Sequence, residues 1–211
     1  MRSFIDFFIN VGRLRGLPRR GGVLIGAKNP ATVTDHSFRV ALMCLILGRE
    51  KKYLNLKRVL EMSLIHDLCE LHTGDWSPYD IDSILPKNKK EWPTLFDKWP
   101  RFSLAEKRKM SKAKHRRESE ALTRLVKGLS PSARREVKNV WEEYEKNLSR
   151  EAKFVKQVNR LETLLQALEY GRDQKIRVYN SWWTGTRERI DDPILVKFMN
   201  ALEKEFSPKR K

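Results

Sequence analysis

The chain has 211 residues, enough for one well-buried core and short for a second full domain. Its 44 Lys and Arg against 27 Asp and Glu give a formal charge of +17, which favours anionic partners. No apolar run reaches the about eighteen residues of a membrane span, and the longest, "VALMCLILG", lacks the position and cleavage pattern of a signal peptide, so a cytoplasmic protein with no membrane association is expected.

Helical periodicity dominates, and no period-two alternation bounded by turn residues stands out. Residues 2–14 read as an amphipathic first helix, with Asp6 interrupting the apolar run. The loop "RGLPRRGGVLIGAKNPATVT" follows, and Thr34 is placed to cap a second helix over 35–47. That helix is apolar almost all round, which predicts a central, buried element. A third helix is predicted over 56–71, and residues 80–103, with three prolines, read as irregular. A long basic helix over 104–127 and another over 131–147 follow. In "EAKFVKQVNRLETLLQALEY", Phe154, Val158, Leu161, Leu165 and Leu168 recur at four-three spacing and predict an amphipathic helix of about five turns. A last helix over 192–206 completes an all-α single domain of six or seven helices. Cys44 and Cys69 lie in apolar helical segments and read as buried reduced thiols.

The positive charge is concentrated, with twelve Lys or Arg against three Asp or Glu in residues 87–117. A nucleic-acid surface is one reading, and a solvated Lys/Arg/Glu-rich helical face is the preferred one.

Chemistry concentrates in "LIHDLCELHTGD". His66 and Glu70 are one helical turn apart, while Asp67 points about 100° away, so His66 and Asp67 reach one metal only near a helix end or from neighbouring faces. The dipeptide alone is a weak signal. His36 opens the apolar second helix, where a polar ring needs a partner, and Asp75 follows in a Gly-containing loop. Imidazole and carboxylate donors suit Zn, Mn, Fe, Co or Ni, and Glu70 and Asp75 add carboxylates beside them, as phosphate-ester hydrolysis requires.

The spaced set His36, His66–Asp67, Glu70 and Gly74–Asp75, with "LPRRGGV", "NPATVTDHSFRVALM", "HRRESEAL", "WEEYE" and "AKFVKQVNRLETLLQALEY" in order, resembles the HD-domain metal-dependent phosphohydrolases. More narrowly it is similar to the 5′-deoxynucleotidases of the HD-domain-containing protein two type, over residues 4–170. The resemblance implies a helical globule in which His36, His66 and Asp67 hold a divalent transition metal (Mn, Co, Ni, Fe or Zn). It implies that Glu70 acts at the attacking water or leaving group, and that Asp75 contacts the sugar or assists catalysis. It implies too that Arg19, in the place of the arginine of "PRTGW", orients the phosphate of a nucleoside monophosphate, a task suited to a guanidinium fork. A homodimer is also implied.

The chain departs from this pattern at several places. Asn159 stands where the family has a fourth ligand, the Asp of "VKQLD", and a neutral amide binds a divalent cation more weakly than a carboxylate. Gly22 replaces the Trp of "PRTGW", Ala31 replaces a common Glu, and residues 82–113 form a longer, more basic insertion. Two alternatives stay open: a nucleic-acid or partner-binding protein that has lost catalysis through Asn159, and a phosphohydrolase of another nucleotide such as a triphosphate. His72 is expected in an exposed loop and His115 on a solvated basic face. Glu118 and Glu120 are placed to pair with nearby Lys or Arg. Glu162, one turn after Asn159, is placed either to reach the site or, the slightly preferred reading, at the helix surface beside Arg160 or Lys156; Trp182 and Trp183 read as packing between helices, with stacking on a base the other reading.

Overall fold

A computed structural model describes residues 1–76, 85–97 and 103–206, apart from the side chains of Leu104 and Lys107. Parts of the irregular stretch 80–103 and of the insertion 82–113 therefore lie outside the described residues. Seven long helices carry the architecture: α1 (Arg2–Gly12), α3 (Val33–Gly48), α4 (Leu56–Ile65), α7 (Leu104–Leu125), α8 (Pro131–Glu145), α9 (Arg150–Gln174) and α11 (Pro193–Phe206). The short helices α2 (Arg20–Leu24), α5 (Glu70–Thr73), α6 (Trp92–Asp97) and α10 (Asn180–Arg187) lie between them. The all-α expectation holds, and no strand occurs among the described residues, where Pro18 and Thr32 form an isolated antiparallel bridge.

The helices start where side chains can satisfy free backbone N–H groups. Thr32 with Asp35 and Ser103 with Glu106 form capping boxes at α3 and α7. The Asn55, Ser130 and Ser149 side chains accept from the first turns of α4, α8 and α9. Thr32, not Thr34, caps α3, because the Pro18–Thr32 bridge already holds this backbone extended.

α9 is the central element. Phe154, Val155, Val158, Leu161, Leu164 and Leu168 are buried, in one cluster with Val40 and Cys44 of α3, Val59 and Met62 of α4, Val140 and Tyr144 of α8, and Leu195 and Met199 of α11. A second cluster joins Leu14, Val33 and Cys69 to Leu122, Leu125 and Trp141. Cys44 and Cys69 are buried free thiols.

Three local expectations are corrected. α3 is buried on its Val33–His36–Val40–Cys44 face alone, while Phe38, Leu42 and Ile46 are 67%, 46% and 59% exposed. The helix predicted over 56–71 breaks after Ile65, turns through His66–Cys69 and resumes as α5. The loop after α1 contains a 3-10 turn, Arg13–Gly16, and α2, and "NSWW" opens α10. Leu161 is fully buried, so Leu161→Ala lowers unfolding free energy by about 2–5 kcal/mol. Leu148→Ala, at a side chain 66% exposed, stays within about 0.5 kcal/mol of wild type, both being read by urea denaturation.

Candidate active site

The end of α4 presents the first two donors. His66 is the C-terminal cap of α4, and its buried ring is fixed by an Nδ1–H that donates to the Ser63 carbonyl at 2.8 Å. Asp67 follows in the turn, which lets adjacent residues point to one place, as a straight helix would not. His36 enters from the first turn of α3, fully buried, with its Nδ1 bonded to the Glu162 carboxylate of α9. Both partners only accept hydrogen bonds, so both Nδ1 atoms carry the proton and both Nε2 atoms present lone pairs.

Those lone pairs converge. The two Nε2 atoms are 3.4 Å apart, and Asp67 Oδ2 is 3.2 Å from His66 Nε2 and 3.6 Å from His36 Nε2. Burial and the neighbouring Arg19 charge hold the His36 ring neutral, its pKa below the usual value. Burial alone would push the Asp67 carboxyl up, but the Arg19 guanidinium at 3.2 Å helps to keep it well below the carboxylate range. Three buried acceptors with no proton between them form a cation site, and among the described residues this is the one His/Cys/Asp/Glu group with ligand atoms within 4.8 Å of one another.

Arg19 adjoins the trio because backbone bonds from Arg19 N–H to Ala31 O (2.8 Å) and from Val33 N–H to Leu17 O (2.9 Å) tie its segment to the start of α3. Its Nη1 lies 3.2 Å from Asp67, 3.3 Å from Asp75 and 3.8 Å from Glu70. Gly74, at φ +75°, turns the chain so that Asp75 also accepts from the Arg20 N–H at 2.8 Å. Burial, then the Asp67 and Asp75 charges, push the Glu70 carboxyl well above the ordinary carboxylate pKa, and its buried Oε2 has no hydrogen-bond partner.

Arg19, His66, Asp67, Glu70 and Asp75 line a cavity of about 670 Å³. Trp76, Phe96 and Trp182 contribute apolar wall, with the Trp182 ring 2.9 Å from where a Cβ would stand on Gly21. A Cβ on Gly22 would lie 2.9 Å from Pro30 Cβ and 3.3 Å from Tyr170, so the place of the family's Trp is filled by those residues. α7, α9 and the turn after α10 supply Lys114, Lys156, Arg160 and Arg189. Asn159 lines the same cavity and donates from its amide to the Tyr144 hydroxyl at 2.9 Å, while the Tyr144 ring packs edge-on to His66.

Glu162 is the residue that sequence reasoning misplaced. It is fully buried, not at the surface, and besides His36 it accepts from Arg39 Nε at 2.9 Å. The signal was its position between Val158 and Leu165 on the apolar stripe, where a carboxylate requires buried partners. Arg39, one turn after His36, also reaches Glu169 at 2.7 Å. Glu118 is buried and pairs with Lys114 at 3.0 Å, and burial with the nearby Glu145 lifts its carboxyl to about 7 against the pull of Lys114. Glu120 is exposed. His72 is exposed, within α5 and not a loop, and His115 is half-buried, stacked on Trp141 and 3.5 Å from Glu142. Trp182 and Trp183 pack between helices against the main core.

The HD domain family profile matches residues 11–194. The human protein named 5′-deoxynucleotidase HDDC2 is 32% identical over 98% of this chain and 87% of its own length. The Schizosaccharomyces pombe 5′-deoxynucleotidase hdd1 is 27% identical over 96% of this chain and 90% of its own length. Among solved structures, a Magnetospirillum magnetotacticum chain described as a predicted metal-dependent phosphohydrolase superimposes with a TM-score of 0.67 at 23% identity, covering 97% of this chain and 91% of that one, and shares the fold. The matched profile spans most of the chain and contains the His36, His66–Asp67 constellation, and the chain belongs to the HD domain family.

Proposed function

We propose that this chain is a metal-dependent phosphohydrolase that releases phosphate from nucleoside 5′-monophosphates, deoxyribonucleotides among them. The observation that carries the reading is the convergence of His36 Nε2, His66 Nε2 and Asp67 Oδ2, each within 3.6 Å of the others, with both Nδ1 atoms fixed from behind. The names of the relatives, 5′-deoxynucleotidases over nearly full length, support the substrate class.

Two imidazoles and one carboxylate fit a divalent transition ion, with Mn, Co, Ni, Fe and Zn all compatible with such a donor set. When bound, such an ion supplies Lewis-acid polarisation of the phosphoryl group. Asn159 adds no charge to the site, and its amide is engaged with Tyr144, so Asp67 is the single anionic ligand of the set. Arg19 clamps phosphate oxygens with its guanidinium fork. Held among Asp67, Glu70 and Asp75, it is pre-positioned and cannot swing away. Glu70, with its raised pKa and an Oε2 that makes no hydrogen bond, keeps a proton and gives it to the leaving 5′ oxygen. Asp75 accepts a hydroxyl of the sugar. The apolar wall of Trp76 and Trp182 takes the base face. Buried reduced thiols suit a cytoplasmic setting, and no helix among the described residues is long and apolar enough to cross a membrane.

A second reading, in which catalysis is lost and the basic α7 binds nucleic acid, draws on Asn159 and the charge of residues 87–117. One assay separates the two. Stripped protein supplied in turn with Mn, Co, Ni and Zn is expected to release phosphate from deoxynucleoside 5′-monophosphates, and His66→Ala to fall to background. No release with any of the metals, or full release by His66→Ala, sinks the phosphohydrolase reading.

The Glu162 carboxylate behind His36 is expected to set metal affinity. Glu162→Gln weakens metal binding about 10–100-fold by calorimetry, as for other carboxylates behind a ligating histidine. Asn159→Asp strengthens it in the same titration.

We also assign the outward face of α3, where Phe38, Leu42 and Ile46 are exposed one turn apart, to a second copy of the chain. Wild-type protein is expected to sediment as a dimer and Phe38→Glu as a monomer, and a wild-type monomer would remove the assignment.

A further inference from the structure

The two imidazoles that face Asp67 are held from behind in unlike ways. His66 donates from Nδ1 to the Ser63 carbonyl at 2.8 Å, and a helical carbonyl is fixed by the backbone itself. His36 depends on a side chain, the Glu162 carboxylate. The last torsion of a glutamate is soft, so a single bond leaves the carboxylate free to turn and the imidazole free to follow. Its other oxygen has to be held as well.

Arg39 holds it. Arg39 stands one turn after His36 on α3, and its Nε donates to Glu162 Oε1 at 2.9 Å, with Nη2 2.8 Å from the same oxygen. Oε2 is thereby left to His36. Nη1 of the same guanidinium donates to both oxygens of Glu169, at 2.8 Å and 2.7 Å, about two turns further along α9. All three nitrogens thus face two carboxylates, and the plane cannot rotate without breaking bonds at both. A lysine, with one nitrogen, has no such fork. The Arg39 and Glu169 side chains are 28% and 34% exposed, and pairs so open to water contribute little to stability. Stability alone therefore does not account for a fork placed directly behind a ligand. Arg58 supplies the contrast. Its guanidinium forks onto Glu143 and reaches Glu136 and Glu61, at a similar exposure of 22%, and none of these four residues lines the cavity.

We propose that Arg39 is a positioning residue for metal binding: its fork, anchored on Glu169, fixes the Glu162 carboxylate so that His36 keeps Nδ1–H behind and turns Nε2 to His66 and Asp67. The inference rests on the reading that this trio takes a divalent ion.

The test has two readouts on the full chain, purified metal-free. Calorimetric titration with zinc gives the affinity. Long-range proton–nitrogen correlation spectra of the metal-free chain give the His36 tautomer, whose signals among the four histidines are those lost in His36→Gln. Arg39→Gln is expected to weaken zinc binding about tenfold, the lower end of the range for groups behind a ligand, and to move His36 from the Nδ1–H form toward a mixture with Nε2–H. Arg58→Gln is expected to lose stability to urea and to keep the wild-type affinity and tautomer. In a Glu162→Gln background, Arg39→Gln is expected to change affinity less than about twofold, because the carboxylate it acts through is gone. Should Arg39→Gln fail to fold, Arg39→Lys, which keeps the charge and drops the fork, takes its place with the same expected direction. Wild-type affinity and tautomer in the Arg39 variant overturn the inference. So does an equal loss of affinity in Arg58→Gln, or an undiminished loss in the Glu162→Gln background. A wild-type chain that takes no zinc sinks the metal reading instead, and the tautomer spectra still decide the positioning.

Discussion

Glu162 is buried inside the central helix, with one carboxylate oxygen on His36 Nδ1 and the other on Arg39 Nε at 2.9 Å. Removing a carboxylate from water costs several kcal/mol unless charged or hydrogen-bonding partners meet it, and here Arg39 supplies the charge and His36 an N–H. The consequence reaches the far side of the imidazole. With Nδ1 protonated and pinned, His36 Nε2 can only present a lone pair, and it presents it to His66 and Asp67. Without that bond His36 is free to flip or to move its proton to Nε2, and the convergence of three acceptors disappears.

The rest of the architecture serves the same point. α9 crosses beneath α3, α4 and α8, so that one helix carries the Glu162 support, the Asn159–Tyr144 contact and the Lys156–Arg160 wall. The break after Ile65 lets His66 and Asp67 share a target, and the Gly74 turn brings Asp75 back to Arg19. The extended bridge at Pro18–Thr32 then fixes Arg19 beside the first turn of α3. Rigid helix ends, rather than long loops, hold these side chains, which is what a site requiring fixed geometry needs.

Much of this was legible in the residues. The class and the seven long helices followed from apolar periodicity, and the clustering of His36, His66, Asp67, Glu70, Asp75 and Arg19 from motif order and resemblance. What was not legible depended on tertiary partners. Glu162 looked like one more helix carboxylate until His36 and Arg39 were seen to face it. α3 looked central because its sequence is apolar all round, yet periodicity does not tell a core face from an exposed face. Gly22 signalled a missing Trp, but only the closeness of Pro30 and Tyr170 explains where the space went.

The central claim is that the three converging acceptors hold a divalent ion. Crystals of the full chain soaked in zinc give the most direct answer through an anomalous difference map. The account predicts a strong peak about 2.0–2.2 Å from His36 Nε2, His66 Nε2 and Asp67 Oδ2. A map with no peak there, or with zinc bound at other residues alone, would contradict it.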